Sequence, residues 1–74
     1  MTKKAIIGMF KEVGAKFELH TKRVINFYDV DNTPEKTNAI KKWLEENKTW
    51  HLEYGPNFNQ YEMPNGMIIN FYTE

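Results

Sequence analysis

The tetrapeptide Ile25-Asn26-Phe27-Tyr28 occurs a second time in this chain, as Ile69-Asn70-Phe71-Tyr72. Both copies are rich in β-branched and aromatic residues, which is typical of β-strands. A helical pattern precedes each copy, and its matching apolar positions are Ala5-Ile6 with Ala39-Ile40 and Met9-Phe10 with Trp43-Leu44. We therefore predict an internal repeat over residues 3–31 and 33–74, in which each unit folds as helix–strand–strand.

Composition limits the class of protein. The chain has 74 residues, with ten basic and ten acidic side chains, so its formal net charge is zero. Zero net charge argues against binding nucleic acid by phosphate charge alone. The absence of cysteine excludes disulfides and thiolate zinc sites, and no apolar run has the length of a membrane span. We expect a single domain, residues 1–74, in the cytoplasm, and in the host cytoplasm for a viral protein.

Two segments have helical spacing of apolar residues and recognisable ends. The first covers residues 3–13 and stops at Gly14, since glycine accepts the left-handed conformation that follows a helix. The second begins after a cap at Asn32 or Thr33, with Pro34 suited to its first turn. Alternating segments around the helices predict hairpin strands.

These elements predict an α+β fold, a two-layer sandwich with a tandem αββ-αββ pseudo-repeat. Both helices are expected on one face of an antiparallel sheet of four or five strands. A turn at Pro64-Asn65-Gly66 would set Tyr61 opposite Ile69 and Asn59 opposite Phe71. The predicted core consists of Ile6, Met9, Phe10, Val13, Phe17, Leu19, Ile25, Phe27, Ile40, Trp43, Leu44, Trp50, Leu52, Ile69 and Phe71.

The other sheet face is predicted to be uncovered and only half polar. It is expected to carry Lys16, Glu18, His20, Val24, Asn26, Tyr28, His51, Glu53, Ile68, Asn70 and Tyr72. Tyrosine offers a rigid ring with a polar tip, and asparagine both donates and accepts hydrogen bonds, so both suit recognition. The candidate binding residues are Val24, Asn26, Tyr28, His20, His51, Ile68, Asn70 and Tyr72. The alternatives are ordinary cross-strand pairs on a solvated face, or a binding site in the Gly55–Asn59 loop.

The segment Asp29-Val30-Asp31-Asn32-Thr33 resembles the first motif of haloacid dehalogenase-like phosphatases, an apolar strand followed by Asp-x-Asp-x-Thr. The resemblance implies that Asp29 is a nucleophile and magnesium ligand and that Asp31 is a general acid/base. That family has a parallel Rossmann-like sheet, which needs far more chain, and no second acidic pair follows here. We therefore expect Asp29 and Asp31 to be turn residues before a helix and not catalytic groups. We expect no metal and no cofactor.

His20 and His51 lie on the first strands of the two predicted units, so they would approach each other if those strands were neighbours. A metal site needs three or four converging ligands, and we expect exposed polar residues instead. The chain contains no serine, which excludes a serine nucleophile.

The C-terminal segment, residues 65–72, is similar to the closing strand of small phage-borne proteins that combine a helix with a hairpin. Those proteins continue into a Pro-Thr-Thr-Gly-like turn, whereas this chain continues as Thr73-Glu74. The resemblance implies a viral or mobile-element origin. By analogy it implies a protein that binds and blocks a host protein, as anti-defence inhibitors do.

Three functions follow from these patterns. The first is a non-catalytic protein that binds a host protein and inhibits it, with homodimerisation through the same face as a further option. The second is a single-stranded nucleic-acid-binding module that stacks bases on Tyr28 and Tyr72. The third is a metal-dependent phosphatase at Asp29 and Asp31.

Overall fold

The computed structural model describes residues 1–74 and contains two α-helices, a short 3₁₀ turn and five β-strands. The elements are α1 (Lys3–Val13), β1 (Glu18–Thr21), β2 (Val24–Tyr28), the 3₁₀ turn (Asp29–Asp31), α2 (Pro34–Asn47), β3 (Trp50–Gly55), β4 (Phe58–Glu62) and β5 (Ile68–Tyr72). The predicted α+β class is confirmed.

Each helix begins at a threonine that caps its first turn. The Thr2 hydroxyl accepts a hydrogen bond from the Ala5 backbone N–H at 3.1 Å, and the Thr33 hydroxyl accepts one from Lys36 at 3.3 Å. Helix α1 ends at Gly14, whose φ of 76° is left-handed. The predicted helix over residues 3–13 and the start of the second helix are therefore confirmed.

The strands form one mixed sheet in the order β1-β2-β5-β4-β3. The prediction of an antiparallel sheet was wrong for the central pair, because β2 and β5 run parallel. Between them the chain forms α2 and the β3–β4 hairpin, and this connection is long enough to return β5 in the same direction. The two copies of the tetrapeptide consequently pair with each other in register, residue for residue, from Ile25 with Ile69 to Tyr28 with Tyr72.

The tandem repeat of residues 3–31 and 33–74 is not confirmed as a structural repeat. Strand β1 lies on the outer side of β2, while β4 lies on the outer side of β5. A shift that carries β2 onto the parallel strand β5 would therefore carry β1 onto β2 and not onto β4. The repetition is confined to the two central strands and to the helical pattern before them.

The core lies between the helices and one face of the sheet. Its buried apolar residues are Ile6, Phe10, Ala15, Ile25, Phe27, Ile40, Leu44, Tyr61, Met63, Met67, Ile69 and Phe71. Met9, Val13, Phe17 and Trp43 pack against this cluster and are partly buried. The rings of Phe27 and Phe71 stack at 4.9 Å, so both copies of the tetrapeptide contribute the same residue to the helix side.

Three predicted core residues, Leu19, Trp50 and Leu52, are exposed. Leu19 belongs to edge strand β1, which is exposed along its whole length. In β3 the predicted orientation was reversed, because His51 pairs with Tyr61, which is buried beneath α2. His51 and Glu53 therefore face the helices, and the apolar side chains of β3 face away from them.

Candidate binding face

The sheet face opposite the helices is uncovered, and we call it the open face. Its side chains are Glu18 of β1, Val24, Asn26 and Tyr28 of β2, Ile68, Asn70 and Tyr72 of β5, Phe58, Gln60 and Glu62 of β4, and Trp50, Leu52 and Tyr54 of β3. The six candidate residues on the tetrapeptide strands are thus brought together at the centre of this face. They are Val24, Asn26, Tyr28, Ile68, Asn70 and Tyr72.

An aromatic row crosses the open face over four strands. The ring of Tyr72 stacks on Tyr28 at a centroid distance of 4.8 Å and on Phe58 at 4.8 Å. Phe58 in turn stacks on Tyr54 at 5.1 Å, and no pair in the row is tilted by more than 16°. The two inner rings are therefore covered on both faces by their neighbours and present their edges to solvent. Such a row is rigid, because the rotation of each ring is limited by the next one.

A row of hydrogen-bonded polar side chains lies beside the aromatic row. The Asn70 amide donates to Asn26 Oδ1 at 2.9 Å, and the Gln60 amide donates to Asn70 Oδ1 at 3.0 Å. The Tyr54 hydroxyl donates to Gln60 at 3.2 Å, and Asn26 donates to Glu18 at 3.5 Å. Asn26 is the buried polar residue of the chain, at 6% exposure. This network fixes the orientation of each amide, so the face presents a defined pattern of donors and acceptors.

The strands of the open face carry carboxylates and no lysine or arginine, while Lys22 and Arg23 lie in the turn between β1 and β2. The carboxylates of Glu18 and Glu62 lie on this face. Desolvation, and after it the charge of Glu18, raises the pKa of the Tyr28 hydroxyl above its ordinary value. Apolar side chains of Val24 and Ile68 complete the centre of the face. A complementary surface would be apolar or amide-bearing at its centre and would carry basic side chains at its edge.

The two histidines lie far apart, because β1 and β3 are the opposite edges of the sheet. His20 lies beside Glu18, with 4.0 Å between Nδ1 and Oε1. The prediction that His51 belongs to the open face was wrong, since its ring stacks on Tyr61 at 4.2 Å on the helix side. Its Nδ1 lies 3.2 Å from a carboxylate oxygen of Glu45.

Glu45 connects α2 to the β3–β4 hairpin. Its carboxylate accepts hydrogen bonds from Lys48 Nζ at 2.8 Å and from the Tyr61 hydroxyl at 3.1 Å. The hydrogen bond from Lys48 lowers the pKa of Glu45 in spite of some desolvation. Burial, followed by the hydrogen bond to Glu45, raises the pKa of Tyr61 well above its ordinary value of 10.0. These contacts are within the molecule, and we assign the group to stability.

Asp29 and Asp31 form part of the 3₁₀ turn that joins β2 to α2. The Asp29 carboxylate accepts the backbone N–H of Glu74 at 3.1 and 3.2 Å, which ties the C-terminal segment to this turn. The Asn32 side chain accepts the Lys16 N–H at 2.7 Å and fixes the turn to the chain before β1. No group of three or more acidic, histidine or cysteine side chains could hold a metal ion.

The Gly55–Asn59 segment is a tight turn with the end of a strand on each side. Pro56 and Asn57 connect β3 directly to β4. The Thr73 backbone N–H donates to the Asn57 carbonyl at 2.9 Å, and its hydroxyl donates to the Pro56 carbonyl at 3.4 Å. The segment is thus held in place, with Pro56 and Asn57 exposed at the end of the hairpin.

The sequence patterns did not predict that side chains of β3 and β4 lie on the open face. The signal was present in the predicted register, which paired Tyr61 with Ile69 and Asn59 with Phe71, and the structure confirms both pairs. Since neighbouring side chains on a strand alternate, that register places Phe58 and Gln60 on the open face.

Comparison with known proteins finds no matching family model, no matching curated protein and no matching solved structure. Neither helix has the length and apolar character needed to cross a membrane.

Proposed function

We propose that this chain is a non-catalytic module that binds a partner protein through its open face. The aromatic row carries the proposal, because rigid rings lose little conformational freedom on binding and bury a large area. The amide row beside it is held by hydrogen bonds within the chain and Asn26 is buried, so the remaining N–H and oxygen positions of Gln60 and Asn70 are the ones that contribute specificity. Both rows lie on a surface that neither helix covers.

The partner that fits this face is a host protein with a basic rim around an apolar centre. The support for basic side chains is the charge of Glu18 and Glu62, which no lysine or arginine on the strands offsets. The resemblance of residues 65–72 to phage-borne proteins supports a host factor, met in the host cytoplasm. Binding alone would inhibit that factor if the open face covers its working surface.

Binding of single-stranded nucleic acid is the second function that the aromatic row supports. Two features of the face count against it. Bases stack on exposed ring faces, whereas the faces of Tyr72 and Phe58 are covered by their neighbours. The strands also lack the lysine and arginine that phosphate contacts require.

Capture from a bacterial lysate tests the proposal when three immobilised forms are compared. The wild-type chain should retain a protein that Tyr28→Ala with Tyr72→Ala does not retain. The matched control, Lys41→Ala with Lys42→Ala, changes two exposed residues of α2 and should retain it fully. Equal capture by all three forms would place the binding site elsewhere, and salt-sensitive retention of single-stranded RNA or DNA would favour the second function.

A further inference from the structure

The two edges of the sheet differ in how well they are protected from pairing with another strand. Strand β1 has four residues and its register shifts between Leu19 and Thr21, so it offers a short and irregular edge. Strand β3 has six residues, and its only irregularity lies at its end, between Glu53 and Gly55. Natural edge strands are commonly blocked by charged side chains, proline or a bulge. The segment from Trp50 to Glu53 has no lysine, proline or bulge, and Glu53 is its one charged residue.

The side chains of β3 are unusually apolar for an exposed edge. Trp50, Leu52 and Tyr54 are 43%, 37% and 56% exposed, and all three lie on the open face. His51 and Glu53 alternate with them on the helix side. This edge therefore combines free backbone groups with apolar side chains, which together favour the addition of a strand.

The sequence of β3 is complementary to itself in one antiparallel register. If a two-fold axis passes midway between the two copies of Leu52, these two residues lie opposite each other. Trp50 then lies opposite Tyr54 on the open face, and His51 lies opposite Glu53 on the helix side. The Leu52 pair is apolar and the Trp50–Tyr54 pairs are aromatic, and both kinds are favourable. His51 faces Glu53 without a like charge, although its two ring nitrogens are already engaged by Glu45 and Asn59 within each copy.

We propose that two copies of this chain associate through β3 in this register and form a continuous ten-stranded sheet. The interface is isologous, as a two-fold axis requires. Because the axis is perpendicular to the sheet, the open faces of the two copies are joined on the same side. The dimer thereby doubles the length of the surface, and it does not depend on the protein partner proposed above.

Sedimentation at protein concentrations up to about 1 mM, where weak dimers form, tests the association. The wild-type chain should be dimeric, and Leu52→Lys should be monomeric, because it sets two like charges opposite each other. Leu19→Lys is the matched control: it changes the exposed leucine of the other edge and should leave the dimer intact. A monomeric wild-type chain, a dimeric Leu52→Lys variant, or loss of the dimer in Leu19→Lys would overturn the proposal.

Disulfide trapping tests the register and remains informative if the lysine variant fails to fold. The chain has no cysteine, so each introduced thiol is the only one. Opposed Cα atoms of an antiparallel pair lie about 4.5–5.5 Å apart, within the range that disulfides span. Leu52→Cys should therefore form a covalent dimer under mild oxidation, while Leu19→Cys should not.

A mixture of Trp50→Cys and Tyr54→Cys chains should cross-link, and each of them alone should cross-link far more slowly. Rapid cross-linking of either variant with itself would show a different register. Equal rates for Leu52→Cys and Leu19→Cys would show random collision and contradict the interface.

Discussion

Tyr61 shows how a single side chain sets the orientation of an edge strand. Its ring is 1% exposed, and its hydroxyl donates to Glu45 of α2. Because β3 pairs with β4 in register, this orientation places His51 on the helix side as well. Alternation alone favoured Trp50 and Leu52 as core residues. The pattern of β3 does not indicate that its apolar side chains lie on the open face of the sheet and not under the helices.

The raised pKa of Tyr61 predicts a loss of stability in alkali. In the unfolded chain this hydroxyl ionises near its ordinary pKa of 10.0, while the folded chain keeps the proton to a higher pH. Above pH 10 the unfolded state binds fewer protons, so the free energy of unfolding falls as the pH rises. Urea unfolding between pH 8 and 11 should show this fall, and Tyr61→Phe should reduce it. An identical pH dependence in Tyr61→Phe would contradict the assignment.

Gly8 is an exposed position in the middle of α1. A methyl group added there would meet nothing within 4 Å, so the position has room for a side chain. We expect Gly8→Ala to stabilise the protein by up to about 1 kcal/mol through helix propensity. Thermal unfolding measures this, with Gly14→Ala as the contrast. Gly14 has a φ of 76°, so alanine there should destabilise.

Asp29 and Asp31 are predicted to stabilise the turn before α2 and to take no part in catalysis. Asp29→Asn with Asp31→Asn should leave partner binding intact and should cost about 1 kcal/mol of stability at most. The expected loss arises because Asp29 holds the backbone N–H of Glu74. An assay for magnesium-dependent hydrolysis of a phosphate monoester checks this, and activity that is abolished by Asp29→Asn would overturn the prediction.

At the level of elements, the parallel pair of β2 and β5 forms the centre of the sheet. Phe27 and Phe71 come together in it and stack beneath the helices. Phe71→Ala should therefore lower the free energy of unfolding by about 3–5 kcal/mol. Phe58→Ala, which removes the same ring from the open face of the neighbouring strand, should cost clearly less. Equal losses in urea unfolding would contradict the assignment of the two faces.

The sequence predicted those elements whose signals are local. Caps, glycine stops and alternation gave the helix limits of α1 and the register of the β4–β5 hairpin. The identity of the tetrapeptides correctly placed Phe27 and Phe71 on one face. The parallel pairing was not predicted, because the direction in which distant strands meet depends on the whole connection between them. Only the β2 and β5 part of the open face was predicted. The part from β3 and β4 was not, because its position depends on how these strands pair with β5.

On the scale of the whole molecule, zero net charge conceals a separation of charge between layers. The helices and the cap of α2 carry seven lysines and four glutamates, namely Lys3, Lys4, Lys11, Lys36, Lys41, Lys42 and Lys48 with Glu12, Glu35, Glu45 and Glu46. The strands carry Glu18, Glu53 and Glu62 and no lysine or arginine, and Glu53 lies on the helix side. A partner with basic side chains is therefore attracted to the open face and repelled by the helix layer. Association should slow as salt is added, because the attraction is screened.

Partner affinity should depend on the aromatic row. Tyr28→Ala with Tyr72→Ala should weaken binding by roughly 2 kcal/mol or more, about thirty-fold in Kd, as central aromatic residues of interfaces do. Circular dichroism should show that the fold survives, because the rings lie outside the core. Lys41→Ala with Lys42→Ala should leave Kd within about three-fold of the wild-type value.

The most direct test of the open face is to follow the side-chain amide resonances of Asn26, Gln60 and Asn70 by nuclear magnetic resonance while the captured partner is added. These amides form the polar row at the centre of the face and lie on three neighbouring strands. The proposal predicts that their shifts or intensities change in proportion to the bound fraction, while the side-chain amide of Asn38 on the exposed side of α2 does not respond. A response at Asn38 and along the helices, with the three open-face amides unchanged, would contradict it.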